Sequence, residues 1–248
     1  MIGLLSSVQA ELGLLAAEAT IARTCTIGSR SLMQGTIAGR EVVLCAAGMG
    51  KVNAAHAATI LLTRYAPEVL IVFGIGGAYI SSGARIGDVA LATEEIAGDE
   101  GVLTTQGFKD TRFIGIPLAA TASSVLYNSF PAPESPIRAA QQALLSFPSA
   151  NSNRVHSGRF VTLSTCTGTA LRARELEERY HGLCENMEGA AVAQVASLHG
   201  VPWLEVRGIS NLVEDRDLAR WDIKRAAETV QKAVVRILEE WNSGRPTA

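Results

Sequence analysis

Apolar residues follow two rhythms along this 248-residue chain, and their alternation is the main structural signal. Residues 2–5, 41–47, 69–73, 88–92 and 201–211 are short, largely apolar runs, the pattern of strands buried on both faces of a sheet. Residues 155–164 predict one more strand. Other stretches carry helical spacing. Residues 53–65 line up Ala54, Ala57, Ala58, Leu61 and Leu62 on one face, and Pro67 stops the pattern. Near the end, Ile223, Ala226, Ala227, Val230, Val234, Ile237, Leu238 and Trp241 form a stripe along one helix. A short helix is predicted around 140–145, and a charged one runs from Thr169 to Tyr180.

The intervening segments are punctuated by turn formers. Gly28-Ser29, Gly35 and Gly39-Arg40 divide residues 20–46 into meandering strands, and Ser6-Ser7 is placed to cap a helix beginning near Val8. Residues 98–120 are polar and glycine-rich and predict a long surface loop that could act as a lid. Strands alternating with helices predict an α/β protein: a single-domain three-layer α/β/α arrangement with a central mixed β-sheet over residues 1–242, and a flexible tail at 243–248.

Charge adds an exclusion. With 22 basic against 24 acidic residues there is no electrostatic footprint for nucleic acid or an anionic membrane, so a small molecule is the expected partner. No stretch approaches the roughly 20 apolar residues that span a bilayer. Cys25, Cys45, Cys166 and Cys184 are widely separated core-type thiols, which suits a reducing cytoplasm. His56, His156, His181 and His199 show no metal-ligand spacing, and no metal is expected.

Candidate chemistry gathers late in the chain. Glu188 follows Met187 and opens a run of small apolar residues, so its carboxylate is expected to be partly desolvated. The strand at 201–211 ends in the polar pair Ser210-Asn211. These two places are expected to be walls of one pocket. Gly74-Ile75-Gly76-Gly77 follows an apolar strand and reads either as a tight turn or as a loop approaching a ligand; it has neither dinucleotide nor P-loop spacing. Gly48-Met49-Gly50-Lys51 reads as a turn and helix start or, as the weaker alternative, as a phosphate cradle. Glu11 reads by itself as a helix charge, Glu94 and Glu95 as structural, and Asp215 and Asp217 as salt-bridge partners of Arg216. No G-x-S-x-G elbow is present.

Taken in order, Gly74-Ile75-Gly76-Gly77-Ala78-Tyr79, Ser164-Thr165-Cys166-Thr167-Gly168-Thr169, Asn186-Met187-Glu188-Gly189-Ala190-Ala191 and Arg207-Gly208-Ile209-Ser210-Asn211 resemble the nucleoside phosphorylase and nucleosidase superfamily. The likeness spans residues 2 to about 235 and is strongest to its futalosine hydrolase branch, the nucleosidases of the alternative menaquinone route. The resemblance implies roles. Glu11 would activate water, and Met187 and Glu188 would contact the ribose, where a carboxylate can also steady a cationic sugar. Trp221 would cover the ligand, Thr165 and Cys166 would line the base, Gly76 and Gly77 would bring backbone close, and Ser210 and Asn211 would face the purine.

One departure from the adenine-specific members is informative: they carry aspartate where this chain has Asn211. An amide can donate to a 6-carbonyl and accept from N7–H, which favours a 6-oxopurine by about 1–3 kcal/mol of mispairing avoided. A carboxylate such as Glu11 repels phosphate, and residues 1–21 contain no Lys or Arg, so hydrolysis is expected over phosphorolysis. The implied reaction is release of hypoxanthine from futalosine, with methylthioadenosine/adenosylhomocysteine hydrolysis or 6-oxopurine phosphorolysis as alternatives. No cofactor is implied, and a homo-oligomer, dimer or higher, is. For the benzoate end of futalosine, Lys109, Arg112 and Arg220 are candidates by charge alone.

Overall fold

The computed structural model describes residues 1–121, 124–147 and 154–241; the expected tail at 243–248 lies outside them. In chain order the elements are β1 (Ile2–Ser6), α1 (Gly13–Glu18), β2 (Thr20–Ile27), β3 (Arg30–Ile37), β4 (Arg40–Ala46), α2 (Lys51–Tyr65), β5 (Val69–Ala78) and β6 (Val89–Ala97). Then follow β7 (Gly101–Thr104), β8 (Gly107–Asp110), α3 (Thr111–Ile114), β9 (Ala119–Ala120), β10 (Val125–Leu126), β11 (Ser129–Pro131) and α4 (Glu134–Leu144). The last third contains β12 (Val155–Thr162), α5 (Ala170–Tyr180), β13 (Cys184–Asn186), α6 (Gly189–His199), β14 (Trp203–Leu212) and α7 (Ile223–Glu240).

Strand alternation sorts the core into two layers, one on each face of a mixed sheet. In β1, β4 and β5, Ile2, Leu4, Val42, Leu44, Val69, Ile71 and Phe73 face α7 and α4, packing on Val230, Val234, Ile237 and Leu144. Their neighbours Leu5, Val43, Cys45, Leu70 and Val72 face the other way, against Ala54, Ala58, Leu61 of α2 and Ala193, Ala196 of α6. This is the period-two consequence of the pleat: both faces of these strands are apolar because both are covered. The α/β class with a central mixed sheet and helices on both sides is therefore as expected.

The path of the main sheet is β11-β6-β12-β13-β5-β1-β4-β3-β2, and β14 pairs with both β5 and β6. Since β5, β13, β12, β6 and β14 are each bonded to the next, they close into a ring. Closure brings the ends of β1, β5, β13 and β14 together, and the polar residues gather there.

Several local expectations change. Ser6 and Ser7 do not cap a helix; a short 3-10 turn, Gln9–Glu11, precedes α1, and the serines bond elsewhere. The Gly74–Gly77 run is neither turn nor loop. It continues β5 to Ala78, because β13 and β14 pair with it from either side and satisfy its backbone. Residues 98–120 are not a loop but contain the β7–β8 hairpin, α3 and β9. Ile223, at the start of the α7 stripe, is exposed. Among the described residues no helix is long and apolar enough to cross a membrane.

Candidate active site

The end of β1 carries the first carboxylate. After Ser6 the chain turns back through Gln9–Glu11, and the Glu11 side chain returns to the backbone it has just left. Its Oε2 accepts from Ser7 N (3.1 Å), Ser7 Oγ (2.6 Å) and Val8 N (3.0 Å), and Oε1 accepts from Ile75 N of β5 (2.8 Å). Four donors fix the plane of this buried group, and Oε1, with one donor, keeps an acceptor position for a further hydrogen. The exposed helix charge that the sequence by itself suggests is therefore not what is built.

Glu188 stands between β13 and α6. Its backbone N–H and that of Gly189 both donate to Asn186 Oδ1, at 2.9 and 2.7 Å, so Asn186 anchors the start of α6. The Glu188 carboxylate is buried; Oε1 accepts from Gly50 N (2.8 Å) and Oε2 from Arg207 Nη1 (3.3 Å). Gly50 makes that bond with φ of 92°, a left-handed conformation that favours glycine. Desolvation of Glu188, expected from its neighbours, is thus accompanied by two donors.

Arg207, a cation in the middle of a buried strand, joins these groups. It is 1% exposed; Nε donates to Glu205 Oε1 (2.8 Å) and Nη1 also reaches Ile75 O (3.1 Å). Burial alone would lower its pKa, but the surrounding Glu205, Glu188 and Glu11 more than offset this and hold it above the ordinary arginine value. Gly74 makes the approach possible: a Cβ there would lie 2.8 Å from Glu11 Oε1 and 3.0 Å from Arg207 Nη1.

On the other wall, Asn211 is oriented by two bonds. Ser210 Oγ donates to its Oδ1 (2.7 Å), and its Nδ2 donates to Leu212 O (3.0 Å). Glu185 and Asn211 flank Gly77, one from β13 and one from β14. Glu185 accepts from Thr167 N (2.7 Å), Thr167 Oγ1 (2.5 Å) and Tyr79 Oη (3.2 Å). Burial pushes its carboxyl up, against the lowering effect of these donors. The Tyr79 hydroxyl is also pushed up, by burial first and then by Glu185.

Glu11, Gly76, Gly77, Cys166, Met187, Glu188, Ser210, Asn211 and Trp221 all line one cavity. Thr165 does not; it is exposed, and Thr167 lines the cavity in its place. Cys166 Sγ sits 3.4 Å from Met187 Sδ, and Arg216 stacks on Trp221 with its guanidinium carbon 4.7 Å from the ring centre. The expected pairing of Arg216 with Asp215 and Asp217 is not found: Asp215 accepts from Ala170 N and Asp217 from Ala219 N. Arg112 stacks on Tyr127 and Arg220 pairs with Glu214; neither these nor Lys109 lines the cavity. Lys51 pairs with Asp99 and Glu100 rather than cradling a phosphate.

Sequence reasoning missed Ser7, Val8, Met49, Ile75, Thr167, Glu185, Asn186 and Arg207 as lining residues. Arg207 had a signal: an arginine inside a largely apolar strand, two residues from Glu205, needs buried carboxylates. Met49 had none, since its place depends on the Gly50–Glu188 bond. Among the described residues, no group of three or more His, Cys, Asp or Glu is placed to hold a metal ion.

The fold and this site define a class. Residues 1–240 match the family model described as the phosphorylase superfamily, and the chain belongs to that family. It is 38% identical over 207 residues to futalosine hydrolase of Streptomyces coelicolor, with 80% of each chain covered. It is 29% identical to 5'-methylthioadenosine/S-adenosylhomocysteine nucleosidase of Bacillus thuringiensis, covering 96% of this chain and 98% of that one. Among solved structures, the nucleosidase of that name from Neisseria meningitidis superposes with a TM-score of 0.83 at 25% identity, covering 97% and 99%. Helicobacter pylori futalosine hydrolase has the same fold, with a TM-score of 0.80 at 18% identity and 97% of both chains covered. The chain is an enzyme of the N-glycosyl hydrolase kind.

Proposed function

We propose that this nucleosidase hydrolyses the N-glycosidic bond of futalosine, releasing hypoxanthine and dehypoxanthine futalosine. The observation that carries the base preference is the bonding of Asn211. Its Nδ2 faces the carbonyl oxygen of Leu212, so that position demands a donor, and its Oδ1 already accepts from Ser210. One N–H and one lone pair remain, which match the O6 and N7–H of a 6-oxopurine. The 38% identity to a futalosine hydrolase supports the same choice.

In this reading Glu11 Oε1 takes a proton from water as the water oxygen bonds to the anomeric carbon; the electron pair of the breaking C–N bond leaves with the purine, which takes up a proton from solvent at N7 and departs as neutral hypoxanthine. Glu188, whose two oxygens accept from Gly50 N and Arg207 among the described residues, keeps acceptor capacity for ribose hydroxyls, and its charge steadies the oxocarbenium-like sugar. Met187 and Trp221 supply apolar cover. Incubation of the purified protein with futalosine and with methylthioadenosine, each with and without phosphate, tests the proposal. Hypoxanthine should be released faster than adenine, and phosphate should not be needed. Faster adenine release would instead establish the second reading, a methylthioadenosine/adenosylhomocysteine nucleosidase, which the 29% identity over 96% of the chain favours.

Asn211→Asp sharpens the test. A carboxylate would set an oxygen against Leu212 O and remove the donor to O6, so hypoxanthine release should fall about ten- to hundredfold. The ratio of adenine to hypoxanthine release should rise by the same order, read by product chromatography. An unchanged ratio would show that Asn211 does not choose the base.

A further inference from the structure

Behind the cavity wall lie two carboxyl groups that the chemistry above does not use. Glu95 of β6 and Glu205 of β14 are each fully buried, and neither lines the cavity. They meet over Gly189, where a Cβ would overlap both Glu205 Oε2 and Glu95 Oε1. Glu205 Oε1 is bonded to Arg207, but Oε2 has no donor among the described residues. A buried carboxylate oxygen without a donor is strongly disfavoured, and so are two adjacent buried anions; one proton between the groups removes both costs. Burial first, and then the neighbouring Glu205, hold the Glu95 carboxyl well above the usual carboxylate range.

Each member of the pair leads to Glu188 by its own route. Glu205 holds Arg207, whose Nη1 bonds the Glu188 carboxylate. Glu95 Oε1 accepts from Asn186 Nδ2 (2.8 Å), and Asn186 holds the backbone N–H of Glu188 and Gly189. Thr162 Oγ1 donates to Glu95 Oε2 (2.7 Å) and accepts from Ala190 N (2.8 Å), adding a third tie to the start of α6.

We infer that Glu95 and Glu205 share one proton and together act as a positioning pair, Glu95 neutral and Glu205 anionic, that sets both ends of Glu188 against the cavity. The division of labour follows from charge. Arg207 faces Glu11, Glu188 and Glu205, so a fourth anion at Glu95 would draw the guanidinium away from Glu188. A neutral acid at Glu95 instead donates to Glu205 Oε2 while its oxygens accept from Asn186 and Thr162. Glutamine keeps the group neutral and its amide N–H2 can donate to Glu205 Oε2, but there it no longer accepts from Asn186 Nδ2; leucine loses the whole pattern.

Two readouts test this, and only the second rests on the nucleosidase reading. By infrared spectroscopy near neutral pH, the wild-type protein should show a buried carboxylic-acid C=O band that Glu95→Gln removes; a band that survives the substitution overturns the shared proton. In turnover, assayed with both futalosine and methylthioadenosine, Glu95→Gln, which keeps the donor to Glu205 and loses only the Asn186 bond, should lose clearly less kcat than Glu95→Leu, while Glu95→Leu and Glu205→Gln should lose about tenfold or more. The loss should fall in kcat with KM little changed, in protein that circular dichroism shows to be folded at the assay temperature. A Glu95→Gln variant as impaired as Glu95→Leu, or a Glu205→Gln variant with wild-type kcat, overturns the positioning role. Failure of futalosine as substrate would leave both measurements intact on methylthioadenosine.

Discussion

Glu11→Gln should lower kcat about a hundred- to ten-thousandfold, the range expected when a positioned general base is lost. The change is small in shape and large in chemistry. Oε2 of Glu11 accepts from Ser7 N, Ser7 Oγ and Val8 N, so the glutamine oxygen will take that side and its amide nitrogen will face Ile75 N. Donor then meets donor where Oε1 had accepted, and no lone pair is left to receive a proton from water. The mispaired Ile75 N–H should also cost about 1–3 kcal/mol of stability. Steady-state hydrolysis, hypoxanthine binding and thermal melting separate the effects: kcat collapses, base affinity stays near wild type and the melting temperature falls by a few degrees. Turnover close to wild type would remove Glu11 from the role of base.

Arg207→Met should be the most destabilising single change at the site. It deletes the one guanidinium that Glu205 and Glu188 both bond, with Glu11 beside it, and leaves buried carboxylates uncompensated. Breaking a buried ion pair in this way costs about 3–5 kcal/mol, or a drop in melting temperature on the order of 10 °C for a chain of this size. Denaturant titrations of both proteins near neutral pH measure the deficit. A gap well below this range would contradict the central electrostatic role of Arg207.

Much of the architecture was legible from pattern alone. The α2 face of Ala54, Ala57, Ala58, Leu61 and Leu62 is buried in full, because helical spacing and small side chains leave one way to pack against a sheet. The apolar runs at 2–5, 69–73 and 201–211 are strands covered on both sides. Glycines misled where pairing was supplied from a distance. The Gly74–Gly77 run looks like a break, but β13 and β14 hold it as strand, and its missing Cβ atoms make room for Arg207, Cys184 and Asn211. At residues 98–120 the hairpin depends on local cross-strand bonds that polar residues do not advertise.

The sequence by itself determined the class of fold, the two-sided core and part of the cavity lining, because periodicity and side-chain chemistry are properties of the chain taken in order. Tertiary structure alone decided which polar groups meet. Glu11 and Ile75, Glu188 and Gly50, Arg207 and Glu188, and Glu95 and Glu205 are distant in sequence, and their elements meet only through the pairing of β1 with β4 and β5 and the closing of β5, β14, β6, β12 and β13 into a ring. In a space that water does not reach, that meeting decides which carboxylates stay charged and which atom of each is left to act.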